Sequence, residues 1–415
     1  MARRELYVGI DVASRKVDVC FIDKEARTVR PRASYDNDPQ GWTELRVAIV
    51  SASSLCGTRP RIVCGMEATG NMHKRLEEAL RKEKRRTLEV HVLHPRAVKH
   101  FARALNTSAK TDRIDAEVIA QFLLRLQPQE KAAPLEGLEE LREVTRMRRK
   151  LIEERTTCKN RLHKLLRYHF PGYKKLVGKR LSTRLLVILE SMPSPDLMLA
   201  HRTDQIAQIK HGAHHVIGTT FSEHLHQLAT QAPVTILRKS TRLLLQSTAK
   251  RVRELSTHIA ELDGIIEELL DEVFPHEVLT SIPGLGKVST AAILAEVGDI
   301  SRFTTKGQFV GYCGLYPIVW QSGEATRRYR MTFKGNRMLK MTLLVASAAA
   351  RQYNPIVATY YERLRKQGKS TKAAGGAIAR KLAVIVYALL VSHQPWSNEK
   401  AHRGLCKGQA MAEAV

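Results

Sequence analysis

The chain opens on a stretch in which apolar and polar positions alternate with a period of two. Residues 6–23 read LYVGIDVASRKVDVCFID, in which two apolar runs flank a polar turn at residues 13–16. This pattern predicts a β-hairpin. One acidic residue, Asp11, lies inside the first apolar run. Because a carboxylate on a buried strand needs a compensating cation, we expect Asp11 to have one, and a divalent metal ion is the best candidate.

Predicted strands and helices alternate after this hairpin. A third strand near residues 28–35 and a helix at about 39–52 precede the sequence RIVCGMEATG at residues 61–70, which predicts a buried parallel strand with Glu67 just past its end. A helix, a strand and a helix follow at about residues 72–84, 88–93 and 95–105. This order predicts a mixed α/β sheet, in which chemistry collects at the strand ends, where Glu67 lies.

The next predicted helix starts with two acids. Thr111 is its expected N-cap, and Asp112 and Asp115 lie on one face of its first turn. For an isolated pair, the helix dipole alone would explain acids at this position. The helix dipole is a less favoured explanation here, because Asp11 and Glu67 already need a cation. Four such carboxylates can hold two Mg²⁺ ions about 4 Å apart, which activates a nucleophile and stabilises a leaving oxygen on phosphate.

A long basic helix is predicted at residues 138–170, after a boundary at about 131–134. A basic helix face is usually only solvated, but few acids follow Glu154 here, which favours contacts with phosphates. The cations of this face are Arg146, Arg148, Arg149, Lys150, Arg155, Lys159, Arg161, Lys164 and Arg167.

A second long helix carries apolar residues spaced alternately three and four apart, from Leu245 to Val273. This repeat predicts a coiled coil, either with the helix at residues 138–170 or with a second subunit. Between the two helices, His211, His214 and His215 favour a surface or RNA-facing cluster over a metal site, because no acidic or cysteine ligand lies near them in the sequence.

Composition and charge point to a partner. The 415 residues carry a net charge of +27, and 43% of them are apolar, which predicts a folded basic surface. Its simplest partner is nucleic acid, and a merely soluble or ribosome-associated basic protein is the alternative. Six cysteines without a CxxC pair predict reduced thiols in a cytosolic protein. The longest clean apolar run, at residues 382–391, is too short to predict a membrane span.

The C-terminal part of the chain begins with a glycine-rich turn, PGLGK, that contains Gly284, Gly286 and Lys287. A nucleotide-hydrolysing phosphate loop requires Ser or Thr directly after the Lys, and Val288 stands there instead. The turn and the Ala-rich helix after it resemble a helix-hairpin-helix, whose backbone N–H groups contact a phosphate.

The four acids stand in the sequences GIDVASRK, GMEATG and KTDRIDA. Their order, Asp11, Glu67, Asp112 and Asp115, resembles the DEDD signature of RuvC-like, RNase H-fold transposases of the Piv-invertase-like insertion-sequence class. A second signature resembles the C-terminal transposase domain of the same family. Its aromatic-Gly-Leu-x-Pro, Ser-Gly and Lys-Gly-Asn-Arg elements occur at residues 312–317, 322–323 and 334–337.

The resemblance implies an α/β plus all-α architecture in three parts. An RNase H-like (RuvC-like) mixed sheet with the DEDD site is expected at residues 1–130, and a helical, coiled-coil region at 135–273. A mainly helical transposase domain with a helix-hairpin-helix-like entry is expected at 275–395, before a flexible tail at 396–415. The resemblance also favours a dimer through the repeat at residues 245–273, because recombination requires more than one subunit.

The implied activity is that of a DNA transposase, which excises and inserts its own mobile element through a covalent phosphoserine at Ser322. A serine hydroxyl needs activation, and metal held by the four acids would supply it. Nearby basic and polar groups would bind the DNA and stabilise charge on the phosphate. These groups are Arg327, Arg328, Arg330, Lys334, Asn336 and Arg337.

The implied partners are the double-stranded DNA of the element ends and of the target, and an element-encoded guide, the bridge RNA. The protein is expected to form a dimer or a dimer of dimers with a site shared across subunits, and to act in the cytoplasm.

Two other classes of function remain open. A junction-resolving nuclease would use the four acids to activate water, leaving Ser322 structural. A non-catalytic scaffold would keep the basic helices and tolerate the loss of Asp11. The four acids in family order argue against the scaffold, and the Ser-Gly element argues against simple hydrolysis.

Overall fold

The computed structural model of the chain describes residues 5–399, except 69, 83–86, 106–111, 129–136, 178–180, 213, 234–236, 274–276, 323–324 and 333. Residues 112–114, 177, 273, 318–322 and 325–330 are described by their backbone only. The chain forms two compact units, Met1–Ala133 and Pro134–Val415. The predicted boundary at 131–134, the N-cap Thr111 and most of the predicted tail lie outside the described residues.

A five-stranded mixed sheet forms the centre of the first unit. Its strands have the order β3-β2-β1-β4-β5, with β1 antiparallel to β2 and parallel to β4. The predicted α/β sheet with its N-terminal hairpin is therefore confirmed. The strands are β1 (Glu5–Val12), β2 (Lys16–Asp23), β3 (Thr28–Asp36), β4 (Arg61–Glu67) and β5 (Leu88–Leu93). The helices are α1 (Pro39–Leu55), α2 (Lys74–Arg81), α3 (Pro95–Ala104) and α4 (Asp112–Leu126).

Alternation along the strands gives the sheet two apolar faces. Leu6, Val8 and Ile10 of β1 pack into one core with residues of α1 and α2. Tyr7 packs into a second core with residues of α3 and α4. Both faces are covered, and for this reason the interiors of the central strands β1 and β4 are apolar.

Two glycines let α4 lie directly on the sheet. A Cβ atom on Gly9 of β1 would overlap the backbone oxygen of Ala116 and the backbone nitrogen of Ala120. Gly65, which pairs with Gly9 across β1 and β4, would place its Cβ 2.7 Å from Leu123. Helix α4 therefore contacts the sheet at a distance that only glycine permits.

The second unit is mostly helical, as predicted for the remainder of the chain. The exception is a two-stranded antiparallel hairpin, β6 (Pro317–Ser322) and β7 (Ala325–Met331), which the sequence pattern did not predict. The helices up to the second long one are α5 (Leu138–His169), α6 (Lys174–Val177), α7 (Thr183–Ser191), α8 (Pro195–Leu199), α9 (Thr203–Ala207), α10 (Thr219–Thr230) and α11 (Lys239–Val273). Those that follow are α12 (Glu277–Thr280), α13 (Lys287–Val297), α14 (Lys306–Tyr312), α15 (Arg337–Tyr353), α16 (Pro355–Lys366) and α17 (Thr371–Ser392).

The apolar repeat of α11 packs against α5 of the same chain. Leu255 and Ile259 share a buried cluster with Leu151, and Ile266 shares another with Leu141. The two helices therefore run antiparallel. The favoured interpretation of this repeat as a dimer interface is wrong, because α5 already covers the apolar side chains.

One helix in the described part of the chain, α17, is long and apolar enough to cross a membrane, with a mean hydropathy of 1.8. Its Ala379, Leu382, Ala383 and Val386 are buried in the main core of the second unit. Packing in that core accounts for its composition. The five described cysteines are free thiols, as predicted.

We expect Gly9→Ala to destabilise the first unit by about 3 kcal/mol or more, because the added methyl group must push α4 off the sheet. Gly264→Ala is the matched control. Gly264 lies inside α11 with open space at its Cβ position, so this change should stabilise the chain by about 0.5–1 kcal/mol. Thermal unfolding followed by circular dichroism measures both effects. Equal stability of the two variants would contradict the close approach of α4 to β1.

Candidate active site and nucleic-acid cleft

Two of the four predicted acids lie side by side on neighbouring strands. The parallel register pairs Ile10 of β1 with Met66 of β4, and Asp11 and Glu67 come next on each strand. They share the sheet face of Gly9 and Gly65, because side chains alternate along a strand. Both are half-buried. Glu67 is the last residue of β4 rather than the first residue beyond it.

Helix α4 brings its first turn toward the same end of the sheet. Gln127, just past the end of α4, hydrogen-bonds the Tyr7 hydroxyl group near the start of β1, and Ala116 lies over Gly9 in mid-strand. The helix thus runs antiparallel to β1, and its first turn lies toward Asp11. Asp115, in that turn, is half-buried.

The metal site itself stays a prediction. The side chain of Asp112 lies outside the described residues. Within the side chains that the structure does describe, no three His, Cys, Asp or Glu groups lie close enough together to hold a metal ion. This also applies to the described His211, His214 and His215. The donor set of the four predicted acids still fits a hard divalent cation, which prefers carboxylate oxygens.

Asp18 is an acid that the sequence interpretation did not assign to the site. It lies directly opposite Asp11 across β1 and β2, and it is only 5% exposed. Its carboxylate oxygen Oδ2 forms an ion pair with the Nζ atom of Lys16 at 3.0 Å. Like charges directly opposite each other destabilise a strand pair, so this end of the sheet favours positive charge. The sequence signal was the inward position of Asp18 in the alternating pattern of β2.

The predicted nucleophile lies at the tip of the β6–β7 hairpin. Ser322 is the last residue of β6, and it pairs with Ala325, the first residue of β7. Gly323 and the side chains of Ser322, Arg327, Arg328 and Arg330 lie outside the described residues. The backbone of the hairpin places these three arginines on the strand that follows Ser322.

Two other elements of the second signature pack backbone against backbone. Gly314 and Gly335 both have positive φ angles, of 66° and 103°. A Cβ atom on Gly335 would lie 2.6 Å from the nitrogen of Gly314. The backbone N–H of Asn336 donates to the carbonyl oxygen of Tyr312 at 2.7 Å. The two glycines are therefore explained by a close approach that fixes the start of α15.

A buried carboxylate, Glu296 of α13, joins this motif to α5. Its side chain is 1% exposed and receives two hydrogen bonds from the Arg146 guanidinium, at 2.6 and 2.9 Å. The side-chain Nδ2 of Asn336 donates to the same carboxylate at 2.6 Å, while its side-chain Oδ1 caps α15 by accepting from the N–H of Leu339. The Tyr312 hydroxyl group donates to the backbone oxygen of Glu296 at 3.0 Å. The sequence signal for Glu296 was a single acid in an otherwise apolar helix.

This network is next to a cleft of about 440 Å³ between α5 and the start of α15. It brings together five residues that the sequence predicted separately as nucleic-acid ligands. The acid in the lining, Glu153, is paired with Arg149 at 3.0 Å. Together with Glu296, which pairs with Arg146, the cleft has four cations and two acids, and its net positive charge suits a phosphate. Its lining residues are Arg146, Arg149, Lys150, Glu153, Asn336, Arg337, Met338 and Met341.

Other predicted nucleic-acid ligands have contacts within the chain. Arg148 forms an ion pair with Asp263 of α11, and Lys287 forms one with Asp271 at 2.7 Å. Gly284 fits against the backbone of Ala350, where a Cβ would lie 2.7 Å from its Cα. Gly286 is the N-cap of α13 and has open space around it. These contacts give Arg148, Lys287 and Gly284 a packing role, and nucleic-acid contact by them stays a prediction.

The remaining predicted ligands lie on exposed or partly exposed positions. Lys334 is exposed in the loop before α15, and Lys164 is exposed near the end of α5. Lys159 is half-buried on α5.

Two family models match the chain. Residues 8–171 match a transposase domain, DEDD_Tnp_IS110, and residues 276–362 match the transposase domain of the IS116/IS110/IS902 family. The first match includes Asp11, Glu67, Asp112 and Asp115, and the second includes Ser322 and the 334–337 element. The fold and both matches define a DNA transposase. The chain belongs to the IS116/IS110/IS902 family of insertion-element transposases.

Related proteins agree with this assignment. A 43.6 kDa protein of insertion element IS110 from Streptomyces coelicolor is 28% identical over 71% of this chain and 74% of its own length. A 42 kDa protein of insertion element IS900 from Mycobacterium paratuberculosis is 26% identical over 72% of this chain and 75% of its own. The pilin gene-inverting protein of Moraxella bovis is 24% identical over 94% of this chain and 98% of its own. The DEDD domain indicates use of a divalent metal ion, and the family indicates a DNA substrate.

We expect Glu296→Ala to lower the free energy of unfolding of the second unit by about 2–4 kcal/mol, because Arg146 and Asn336 lose the buried carboxylate that both contact. Glu261→Ala removes an exposed acid from α11 and should change it by less than about 0.5 kcal/mol. Urea unfolding compares the two. A loss no larger than that of the control would contradict the role of Glu296 in joining α5, α13 and α15.

Proposed function

We propose that this transposase joins DNA through a covalent phosphoserine at Ser322 and that its N-terminal unit is a RuvC-like, RNase H-fold site. The observation that carries the proposal is the cleft of the second unit, in which the basic face of α5 meets the 334–337 element. A positively charged cleft in the unit that also carries Ser322 supports DNA contact by that unit.

In the proposed reaction, the Oγ atom of Ser322 attacks a DNA phosphorus atom. The new oxygen–phosphorus bond forms as the bond from phosphorus to a deoxyribose oxygen breaks. The serine hydroxyl group loses its proton, and the released deoxyribose oxygen gains one. Attack by a hydroxyl group of the partner DNA end then reverses these steps and releases the serine, so strand exchange needs no external energy source.

Chain residues supply the binding and the charge for this step. Lys150 and Arg337 of the cleft would hold the DNA backbone, and Arg146 and Arg149, which are paired within the chain, would contribute less. Arg327, Arg328 and Arg330, which follow Ser322 on β7, would balance the charge that develops on the attacked phosphate. Asp11, Glu67, Asp112 and Asp115 would hold two Mg²⁺ ions, which lower the pKa of a bound hydroxyl group and stabilise negative charge on phosphate oxygens.

The proposed partners are double-stranded DNA of the element ends and of the target, together with an element-encoded bridge RNA as the guide. The net charge of +27 supports a polyanion larger than one short duplex. The pilin gene-inverting relative supports a DNA rearrangement as the outcome. Because strand exchange joins two DNA sites, we propose that the chain acts as a dimer or a dimer of dimers in the cytoplasm.

The serine mechanism is tested with labelled DNA that carries the junction of the element, incubated with purified protein, its co-purifying RNA and Mg²⁺. We expect a covalent protein–DNA band on a denaturing gel. Ser322→Ala and Asp11→Asn should both abolish it, since one removes the nucleophile and the other a metal ligand. Ser247→Ala, at an exposed serine of α11, should leave the band unchanged.

A different pattern would identify the nuclease alternative. Cleavage without an adduct that persists in Ser322→Ala and is lost in Asp11→Asn would mean that water is the nucleophile, and the proposed phosphoserine would be rejected.

The cleft is tested by the salt dependence of duplex binding. Lys150→Gln and Arg337→Gln should each weaken binding, and each should make the slope of log K against log salt concentration less negative by about 1, because one phosphate contact is lost. Arg202→Gln is the control, since Arg202 is an exposed arginine of the same unit that pairs with Asp204. A slope that stays at the wild-type value in both cleft variants would exclude the cleft from DNA binding.

A further inference from the structure

The C-terminal end of α5 presents an exposed aromatic ring among cations. Tyr168 is 82% exposed, although a ring of this size is normally at least partly covered. Arg161, Lys164 and Tyr168 lie on neighbouring turns of one helix face, and Arg167 is adjacent. The opposite face of the same turns, with Leu162 and Leu166, is buried in the core.

The surroundings of Tyr168 carry positive charge without local compensation. Residues 155–189 contain ten Lys and Arg residues and no Asp or Glu. Within the described part of the chain, Arg161, Lys164 and Arg167 form no ion pairs. The same positive charges act on the neighbouring His163 ring. Its pKa is lowered mainly by burial and also by Arg167, Lys174 and Lys159.

The surface has the shape of a shallow depression. It has a volume of about 600 Å³ and is lined by Arg161, Lys164, Leu165, Arg167, Tyr168 and His169. The His169 ring packs edge-to-face with Tyr168, with the ring centroids 4.8 Å apart. This contact holds the tyrosine ring in place and leaves most of it open to solvent.

We infer that this surface, defined as Arg161, Lys164, Arg167 and Tyr168, binds an unpaired stretch of nucleic acid. The three cations hold consecutive phosphates, and a base stacks on the Tyr168 ring. In a duplex each base face is already covered by its neighbours, so the ring adds affinity for unpaired nucleotides only. The cleft beside Arg337, in contrast, offers cations and no aromatic side chain.

The inference extends the proposed function, which requires nucleic acid as the partner, but it does not depend on Ser322. Unpaired nucleotides occur in RNA loops and in DNA strands that are separated during exchange. The chemistry of phosphate and base is common to both, so the experiment includes both.

The test measures fluorescence anisotropy with the full-length protein and three probes of equal length: an oligouridylate, an oligothymidylate and a DNA duplex. Tyr168→Ala should weaken binding of an unpaired probe by about 5- to 100-fold, the loss expected for one base stack. Binding of the duplex should change by less than about twofold. The unpaired probe whose affinity falls more in Tyr168→Ala shows whether the surface prefers RNA or DNA.

Two control variants separate stacking from other effects. Tyr168→Phe keeps the ring and should bind the unpaired probes within about twofold of the wild type. Tyr353→Ala removes another exposed tyrosine of the same unit, 64% exposed at the end of α15, and should change nothing. Because Tyr168 is exposed, its truncation should also leave the unfolding temperature unchanged.

Three results would overturn the inference. Unchanged binding of both unpaired probes by Tyr168→Ala would mean that no base stacks on the ring. An equal loss for duplex and unpaired probes would mean that the surface does not distinguish them. If Tyr168→Ala changed the molar mass measured by light scattering but still bound the unpaired probes as tightly as the wild type, Tyr168 would be a contact between protein subunits. The covalent-adduct assay tests Ser322 and does not involve Tyr168. Failure of the proposed phosphoserine can therefore be told apart from failure of base stacking on Tyr168.

Discussion

The second unit depends on one buried negative charge, the carboxylate of Glu296. A carboxylate that is 1% exposed is unfavourable unless charged or polar donors surround it. Its donors are Arg146 and Asn336, which come from α5 and from the cap of α15. One interaction thereby sets the separation of the two helices whose residues line the basic cleft. The long basic helix and the transposase signature are joined by this acid as well as by the apolar core that they share.

The second constraint is the close approach of chain segments that only glycine permits, and it occurs in both units. Gly9 and Gly65 allow α4 to lie on the sheet, which brings the turn of Asp115 toward the end of β1 that carries Asp11. Gly314 and Gly335 allow two signature elements to touch, which fixes the N-terminus of α15. These glycines are thus explained by close packing.

Local patterns predicted most of the fold. Period-two alternation in β1 and β2 and the apolar stripe of α4 were sufficient, because each reports which side of an element is buried. Contacts between distant segments leave no such trace. The basic Arg146 looks like a solvent-facing ligand until its partner, 150 residues away, is known. The repeat of α11 predicts a helical partner without specifying which one, and the β6–β7 hairpin is short and rich in arginine. The four acids were proposed as a site from their order. Glu296 was missed because it is a single acid in an apolar helix, and Asp18 because its partner across the strands, Asp11, is not visible from its own strand.

Ser322 is the residue that we propose becomes joined to DNA. The most direct measurement is mass spectrometry of the wild-type protein after reaction with junction DNA, Mg²⁺ and its co-purifying RNA, followed by nuclease and protease digestion. We expect a nucleotide remnant on the hydroxyl oxygen of Ser322, in the peptide that contains the tip of the β6–β7 hairpin. A remnant on another residue, or cleaved DNA with no modified peptide, would contradict this proposal.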